Sequence, residues 1–225
     1  MDISITIADT EHLFYAEQIC NLMEKAAKQR GTGIAKRAPE YIQSKMEQGK
    51  AVIAIDHDNE DFAGFCYIEN WDHDRYIANS GLIVHPHYRK LGLARKIKQR
   101  IFELSREKYP EANIFGITTS MAVMKINSDM GYKPVTFSEL TQDEEFWKGC
   151  QSCPNYDILT SKDRKGCLCT GMLYEPEKEE KSHTQKQPTQ EKAKRWEQFK
   201  RFVRLHKINF QRKTKSFLNL YPQKK

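Results

Sequence analysis

The sequence predicts an α/β domain, and three observations predict it. Short β-rich runs alternate with helical patterns through the first two thirds of the 225 residues, the rhythm of strands covered by helices. A mostly apolar run, "YIANSGLIV" at 76–84, reads as a buried central strand and passes directly into a basic turn and a long helix. The composition then changes at "EPEKEEKSHTQKQPTQ", residues 175–190, which is too polar to bury anything. The folded body is therefore expected to end near Pro176.

Each element has its own signal. "ISITIAD" alternates as a first strand. From Glu11 to Arg30 the apolar residues Leu13, Phe14, Ile19, Leu22, Met23 and Ala26 recur at helical spacing, and "GTG" at 31–33 stops that helix. A second helix is expected from Pro39 to Gln48, with proline in its first turn. "AVIAID" and "FAGFCYIENW" form a hairpin across the turn-rich "HDNED". After the central strand and the long helix, "NIFGITTS" is another apolar strand. A helix then runs from Met121 to Met130 and ends at Gly131, with further short strands beyond "YKPVTF". The expected order is βααβββαβαβ, and no internal repeat is present.

Composition bounds the rest. A chain of this length with 39% hydrophobic residues suits one domain with a sizeable core plus an appendage. Residues 181–225 hold 14 Lys and Arg against Glu191 and Glu197, a charge of +12, so the remainder carries −5 of the total of +7. The basic balance thus belongs to the tail, and the body is mildly acidic. The N-terminus lacks a basic region followed by an apolar run. No stretch approaches the roughly 20 apolar residues that span a bilayer. Four of the six cysteines crowd between Cys150 and Cys169, which points to metal or buried thiols in a reducing compartment. A cytoplasmic location is expected.

The turn within "VHPHYRKLGLARKIKQRIFEL", residues 84–104, points to chemistry. Backbone N–H groups gathered at a helix start make an anion site. Gly92 lets the backbone curl close to a ligand, and the small Ala94 lets the next turn pack against it. With the strand and helix order on both sides, over about residues 3–137, this turn resembles that of the GNAT family of acyl-CoA-dependent N-acyltransferases. The family's pattern of Val-x-Pro, an aromatic, then Arg-x-x-Gly-x-Ala appears here as Val84, Pro86, Tyr88, Arg89, Gly92 and Ala94.

The resemblance implies a mixed, mostly antiparallel central sheet with flanking helices over residues 1–176. It implies that the backbone of Arg89, Lys90, Leu91, Gly92, Leu93 and Ala94 faces the pyrophosphate of an acyl-CoA, with Arg89, Lys90 and Lys96 adding charge. The strand residues Leu82, Ile83 and Val84 would splay from the next strand and pair with pantetheine. "GTGIAKRAPEYI", "NSGLIVHP", "FGITTSMAVMKINSDMGY" and "FWKGCQSCPNYDIL" are similar to a narrower bacterial subgroup. Its members are identified as N-acetylglutamate synthases or related glutamate N-acyltransferases of arginine biosynthesis. The donor would be acetyl-CoA or succinyl-CoA, and the acceptor an amino acid.

An amino-acid acceptor needs cations for its carboxylates, and Lys36 and Arg37, between the first two helices, are the candidates. Transfer also needs a base for the amine. The family's central-strand glutamate is missing, because "YIANSGLIV" offers Asn79 and Ser80 but no carboxylate. Glu69 on the neighbouring strand is the first candidate, and His85 stands behind it. Where the family carries a tyrosine that protonates the departing thiolate, this chain has Asn127, which cannot be a general acid; Tyr132 is expected to pack. Water or Ser120 could serve instead.

Cys150, Cys153, Cys167 and Cys169, as C-x₂-C and C-x-C thirteen residues apart, have a spacing that can close a structural zinc site, with "NYDIL" as an intervening strand. The alternative is small buried residues with free thiols. After a polar linker at 177–190, the tail at 191–225 has Trp196, Phe199, Phe202, Val203 and Phe210 near helical spacing among basic residues. Such a helix suits nucleic acid, an anionic membrane or an acidic surface, and a homodimer is left open. Two rivals to a small-molecule enzyme remain. One is a zinc-knuckle, RNA-associated protein with a non-catalytic body, and the other is a transferase acting on a protein amine.

Overall fold

A computed structural model describes residues 2–31 and 36–176, all within the first of the two units into which the chain divides, residues 1–179. The linker and tail expected at 177–190 and 191–225 lie outside the described residues. Strand β1 (Ile3–Ile7) leads through a 3₁₀ turn at Thr10–Tyr15 into α1 (Ala16–Arg30), followed by α2 (Pro39–Glu47). Strands β2 (Ala51–Asp56), β3 (Asp61–Trp71) and β4 (Tyr76–Val84) form a meander. Then come α3 (Leu93–Lys108), β5 (Asn113–Thr118), α4 (Met121–Asp129), β6 (Lys133–Val135), α5 (Glu144–Lys148), α6 (Tyr156–Ser161) and β7 (Thr170–Tyr174).

The local reasons are legible. The helix expected from Glu11 opens as a 3₁₀ turn, because the Asp9 side chain accepts from the Glu11 amide and pairs with His12, and the regular helix starts at Ala16. Gly31, at φ 62°, ends α1 in the left-handed conformation that glycine tolerates best. Ser120 caps α4 by accepting from the Val123 amide.

The strands form one sheet in the order β1-β2-β3-β4-β5-β7-β6. Strands β4 and β5 run parallel, and the other neighbouring pairs of described strands are antiparallel. This is the mixed, mostly antiparallel sheet that was expected. One face is covered by α3 through Leu93, Ile97, Ile101 and Leu104, packed on Val52, Cys66, Ile68 and Ile77. The other face carries α1 and α2, with Ile19, Met23, Ile42 and Met46 against Ile53, Phe65 and Tyr67. Further along this second face, Trp147 and Leu159 from the segment between β6 and β7 cover Ala78, Phe115 and Leu173.

That segment corrects one expectation. "NYDIL" is not a strand but lies at the start of α6. The β6–β7 pairing already occupies the sheet beside it. Its buried Leu159 stands three residues after the half-buried Tyr156, a helical spacing that packs onto the apolar cluster beneath. Among the described residues, no helix is long and apolar enough to cross a membrane.

The sheet is interrupted where it matters most. Strands β4 and β5 pair only from Tyr76↔Asn113 to Ala78↔Phe115, although both continue for several residues beyond. Past Ala78 the two strands part. On its other edge β4 carries a bulge: Phe65 faces Ile83 and Tyr67 faces Ser80, so Gly81 and Leu82 together oppose Cys66. Gly81 has φ 66°, and a Cβ there would collide with the Tyr67 ring and come within 2.8 Å of Met23 Cε. Gly81→Ala is expected to lower unfolding free energy by about 2–4 kcal/mol through left-handed strain and overpacking, read as a fall in the urea midpoint.

Candidate active site

The parted strands open a cavity of about 540 Å³ that runs through the sheet, with walls from Asn79–Leu82 of β4 and Gly116–Thr118 of β5. It therefore has two ends, one under α1 and α2, the other under α3 and α4.

At the first end a single polar network dominates. Arg37 donates through Nε to the Tyr67 hydroxyl at 2.9 Å and through Nη2 to Glu69 Oε1 at 2.9 Å. The Tyr41 hydroxyl donates to the same Glu69 oxygen at 2.6 Å. The two charged side chains are only 20% and 5% exposed, so each ion is tolerated because the other is present. Burial first, and then the Glu69 charge, push the Tyr41 and Tyr67 phenols well above their usual range, which keeps both as donors. The sequence suggested Arg37 and Glu69 for separate tasks; the fold brings them into one pair. Lys36 also lines this end and is exposed, as does Arg30. Burial, and then the nearby Arg89 charge, lower the pKa of Arg30. Two guanidinium groups set against each other suit the arrival of an anion.

Arg89 belongs to the turn that the sequence singled out. After a 3₁₀ turn at Pro86–Tyr88, Arg89 is extended and donates to the Val84 carbonyl at 3.3 Å. Lys90 has φ 68° and Gly92 φ 77°. Tyr88 is buried and donates to Asp56 Oδ2 at 2.9 Å, which anchors the turn to β2. Gly92 caps α3 without any side-chain hydrogen bond to the first turn, so the opening amides of this 16-residue helix remain for an external acceptor. Of the strand and turn residues 82–94 named from the sequence, Leu82 lines the cavity; Arg89, Lys90, Leu91 and Gly92 are exposed, and Leu93 is buried against the sheet.

At the second end sits a residue that sequence reasoning passed over. Lys98 of α3 is 2% exposed and donates to Asn79 Oδ1 at 3.0 Å. Asn79 in turn donates to Ser105 Oγ at 2.8 Å, and the Tyr132 hydroxyl donates to Asn79 Oδ1 at 3.0 Å. Tyr132 packs here as expected. Burial brings the Lys98 pKa down to about 8. The signal was available, since Lys98 falls on the buried stripe of α3 with Ile97, Ile101 and Ser105. Asn127 and Ser120 also line the cavity, and the buried Asn127 Oδ1 has no hydrogen-bond partner. His85 is not among the residues lining the cavity; its Nδ1 is buried beside the Tyr88 ring.

The four clustered cysteines line the cavity as well, but the expected zinc site is not borne out. Among the described residues no three His, Cys, Asp or Glu side chains are arranged to hold a metal ion. Burial, with neighbouring cysteines adding to it, pushes the Cys150 thiol up to about 11 and Cys169 to about 12. All four are wall residues of the cavity. Breaking the buried pair at the first end should show its cost. Arg37→Met is expected to lose about 3 kcal/mol of stability, and adding Glu69→Gln should restore part of it, measured as a double-mutant cycle by urea unfolding.

Comparisons agree with this architecture. Residues 16–122 match the model of the Acetyltransferase (GNAT) family. None of the curated proteins matches the sequence significantly. Among solved structures, the fold is similar to an N-acetylglutamate synthase from Neisseria gonorrhoeae complexed with coenzyme A and N-acetyl-glutamate, with TM-score 0.54 and 14% identity over 78% of this chain. The chain spans 35% of that synthase's length. It is similar to a GNAT-family acetyltransferase from Staphylococcus aureus, with TM-score 0.55 and 14% identity, covering 78% of this chain and 99% of the other. It is also similar to YncA from Salmonella typhimurium with its cofactor acetyl-CoA, with TM-score 0.53 and 13% identity over 78% and 95% of the two chains. At such identities the likeness is one of fold. The architecture built around the parted strands is that of the GNAT acyltransferases, and residues 16–122 of this chain are a GNAT acetyltransferase domain.

Proposed function

We propose that this chain transfers an acetyl group from acetyl-CoA to the amino group of a small amino acid, with glutamate as the acceptor. The observation that carries the reading is the cavity through the sheet, with a helix N-terminus free to take an anion beside one opening and cations at its wall. Among the described residues, Arg30, Lys36, Arg37 and Lys98 line it against Glu69 and Glu145. That balance favours anionic ligands, which both coenzyme A and an acidic amino acid are.

In this reading the pyrophosphate rests on the amides between Arg89 and Ala94, with Arg89 and Lys90 beside it. Pantetheine follows the edge of β4 at Leu82–Val84, where β5 has moved away and no longer pairs with the strand. The thioester then lies at the parting of the strands, and the amine arrives from the α1–α2 side. Arg37 and Tyr41 both use Glu69 Oε1, which leaves Oε2 to receive the ammonium and take its proton. Lys36 and Arg37 hold the acceptor's carboxylates, and amides near the bulge at Gly81 stabilise the oxyanion. A cavity of this size suits a pantetheine end and a small acceptor better than a protein surface.

Incubating the protein with acetyl-CoA or succinyl-CoA and a panel of amino acids, while following thiol release, tests the assignment. Glutamate with acetyl-CoA is expected to give the highest kcat/KM, and a preference for succinyl-CoA or another amine would redirect it. Lys36→Ala should raise the KM for glutamate about tenfold and leave that for acyl-CoA near wild type, because one substrate alone loses a charged partner. Gly92→Val should weaken coenzyme A binding by tenfold or more in calorimetry. Among the described residues, no atom other than those of its chain neighbours lies within 4 Å of a Cβ there, so the loss would come from the ligand's side and from the strained turn, with the cooperative unfolding transition retained.

A further inference from the structure

We propose that Lys98 is the acid of the transfer reaction, giving its Nζ proton to the coenzyme A sulfur as the thioester breaks. This rests on the acyl-CoA reading above and adds a residue to it.

A lysine ammonium that is 2% exposed needs an anion or a task. Among the described residues no carboxylate pairs with Lys98, and its hydrogen bond goes to a neutral amide oxygen, Asn79 Oδ1. That oxygen also receives the Tyr132 hydroxyl, and the Tyr132 ring lies 5.1 Å from Nζ. The amide nitrogen of Asn79 is held by Ser105, which donates to the Ile101 carbonyl at 2.7 Å. The network therefore fixes the position of a cation without neutralising it. Lys98 lines the cavity, so that cation stands ready for negative charge that appears there during a reaction.

The two faces of the sheet decide between acid and base. Glu69, Tyr67 and Tyr41 lie with α1 and α2, whereas Lys98, Asn79 and Tyr132 lie with α3 and α4. The anion-binding turn opens α3, so the coenzyme arm comes from the Lys98 side and the amine from the Glu69 side. Proton removal and proton delivery thus fall to different groups on opposite faces. After the amine attacks, the C–S bond breaks and its electron pair goes to sulfur. Sulfur takes a proton from Nζ, leaving neutral Lys98. The attacking nitrogen loses its protons toward Glu69 and solvent, and Lys98 regains one from solvent once products leave. The products are an amide and a free thiol.

The groups facing Lys98 do not titrate with it. Cys66 of β3 is pushed up to about 11 by burial, and burial takes Tyr132, which follows α4, well above its usual range. Tyr174 of β7 packs beside the Tyr132 ring, with 6.0 Å between the ring centroids. Burial holds Lys98 itself near 8, so it is mostly charged at neutral pH yet gives up its proton readily.

Steady-state kinetics from pH 6 to 10 test the proposal. Wild-type kcat should fall on an alkaline limb near pH 8, and Lys98→Met should lower kcat about 10²-fold and remove that limb, while coenzyme A binding is unchanged. Lys98→Gln keeps a donor for Asn79 Oδ1 but has no proton to give, and should behave alike; it serves if the methionine variant does not fold. A variant that folds, binds coenzyme A and keeps both wild-type kcat and the limb would overturn the role of Lys98 while leaving the acyltransferase reading intact. No thiol release by wild type from either acyl-CoA with any amine would overturn both.

Discussion

Everything that makes this domain more than a packed sheet depends on β4 and β5 ceasing to pair after Ala78 and Phe115. Unpaired backbone groups inside a sheet are costly unless something replaces the lost bonds. Here the loss is limited, because β4 stays bonded to β3 as far as Val84 and β5 to β7 as far as Thr118. Only the inner edges are bare, and they line a cavity. The bulge at Gly81 re-aims the end of β4 on its way out, and it exists because only glycine accepts that conformation beneath the Tyr67 ring and Met23. One glycine thus couples the packing of α1 to the shape of the opening.

The same parting divides the charges. On one face a carboxylate is buried with a guanidinium and a phenol attached to one of its oxygens. On the other an ammonium is buried against an amide and an aromatic ring, with no carboxylate partner among the described residues. The first arrangement is nearly self-sufficient, whereas the second is not, and a site that holds an unneutralised cation away from water is suited to a step in which negative charge forms. The segment from Thr136 to Cys169 closes the wall beside the first end with Phe146, Asn155 and Tyr156. Cys150 and Cys169 contribute bulk and neutral sulfur there, since burial raises both thiols far above neutral pH.

Much of this was legible from residue order, and the parts that were not share a cause. Strands and helices with strong periodicity, such as β2, β3 and α3, stand where the pattern put them, and the "RKLGLA" turn opens a helix as its glycine and small residue required. "NYDIL" was misread because a short apolar run has no period of its own and takes the shape its neighbours leave open. The zinc expectation rested on spacing along the chain, whereas metal binding depends on where four sulfurs point. Lys98 was passed over, although its place on the buried stripe of α3 was already visible.

By itself the sequence determined the α/β class, the element order as far as β6, the turn that opens α3 and the concentration of positive charge after residue 180. Each of these follows from local periodicity, from glycine and proline positions or from composition, which a chain carries before it folds. Tertiary structure alone decided that Arg37 and Glu69 would be partners across 32 residues, that Asn79, Lys98 and Tyr132 would meet under α3, and that the clustered cysteines would stand in the wall of the cavity. Those outcomes depend on which strands part and which face each side chain takes. The energies that settle them, desolvation and pairing at distances of about 3 Å, do not exist until the sheet has closed around the site.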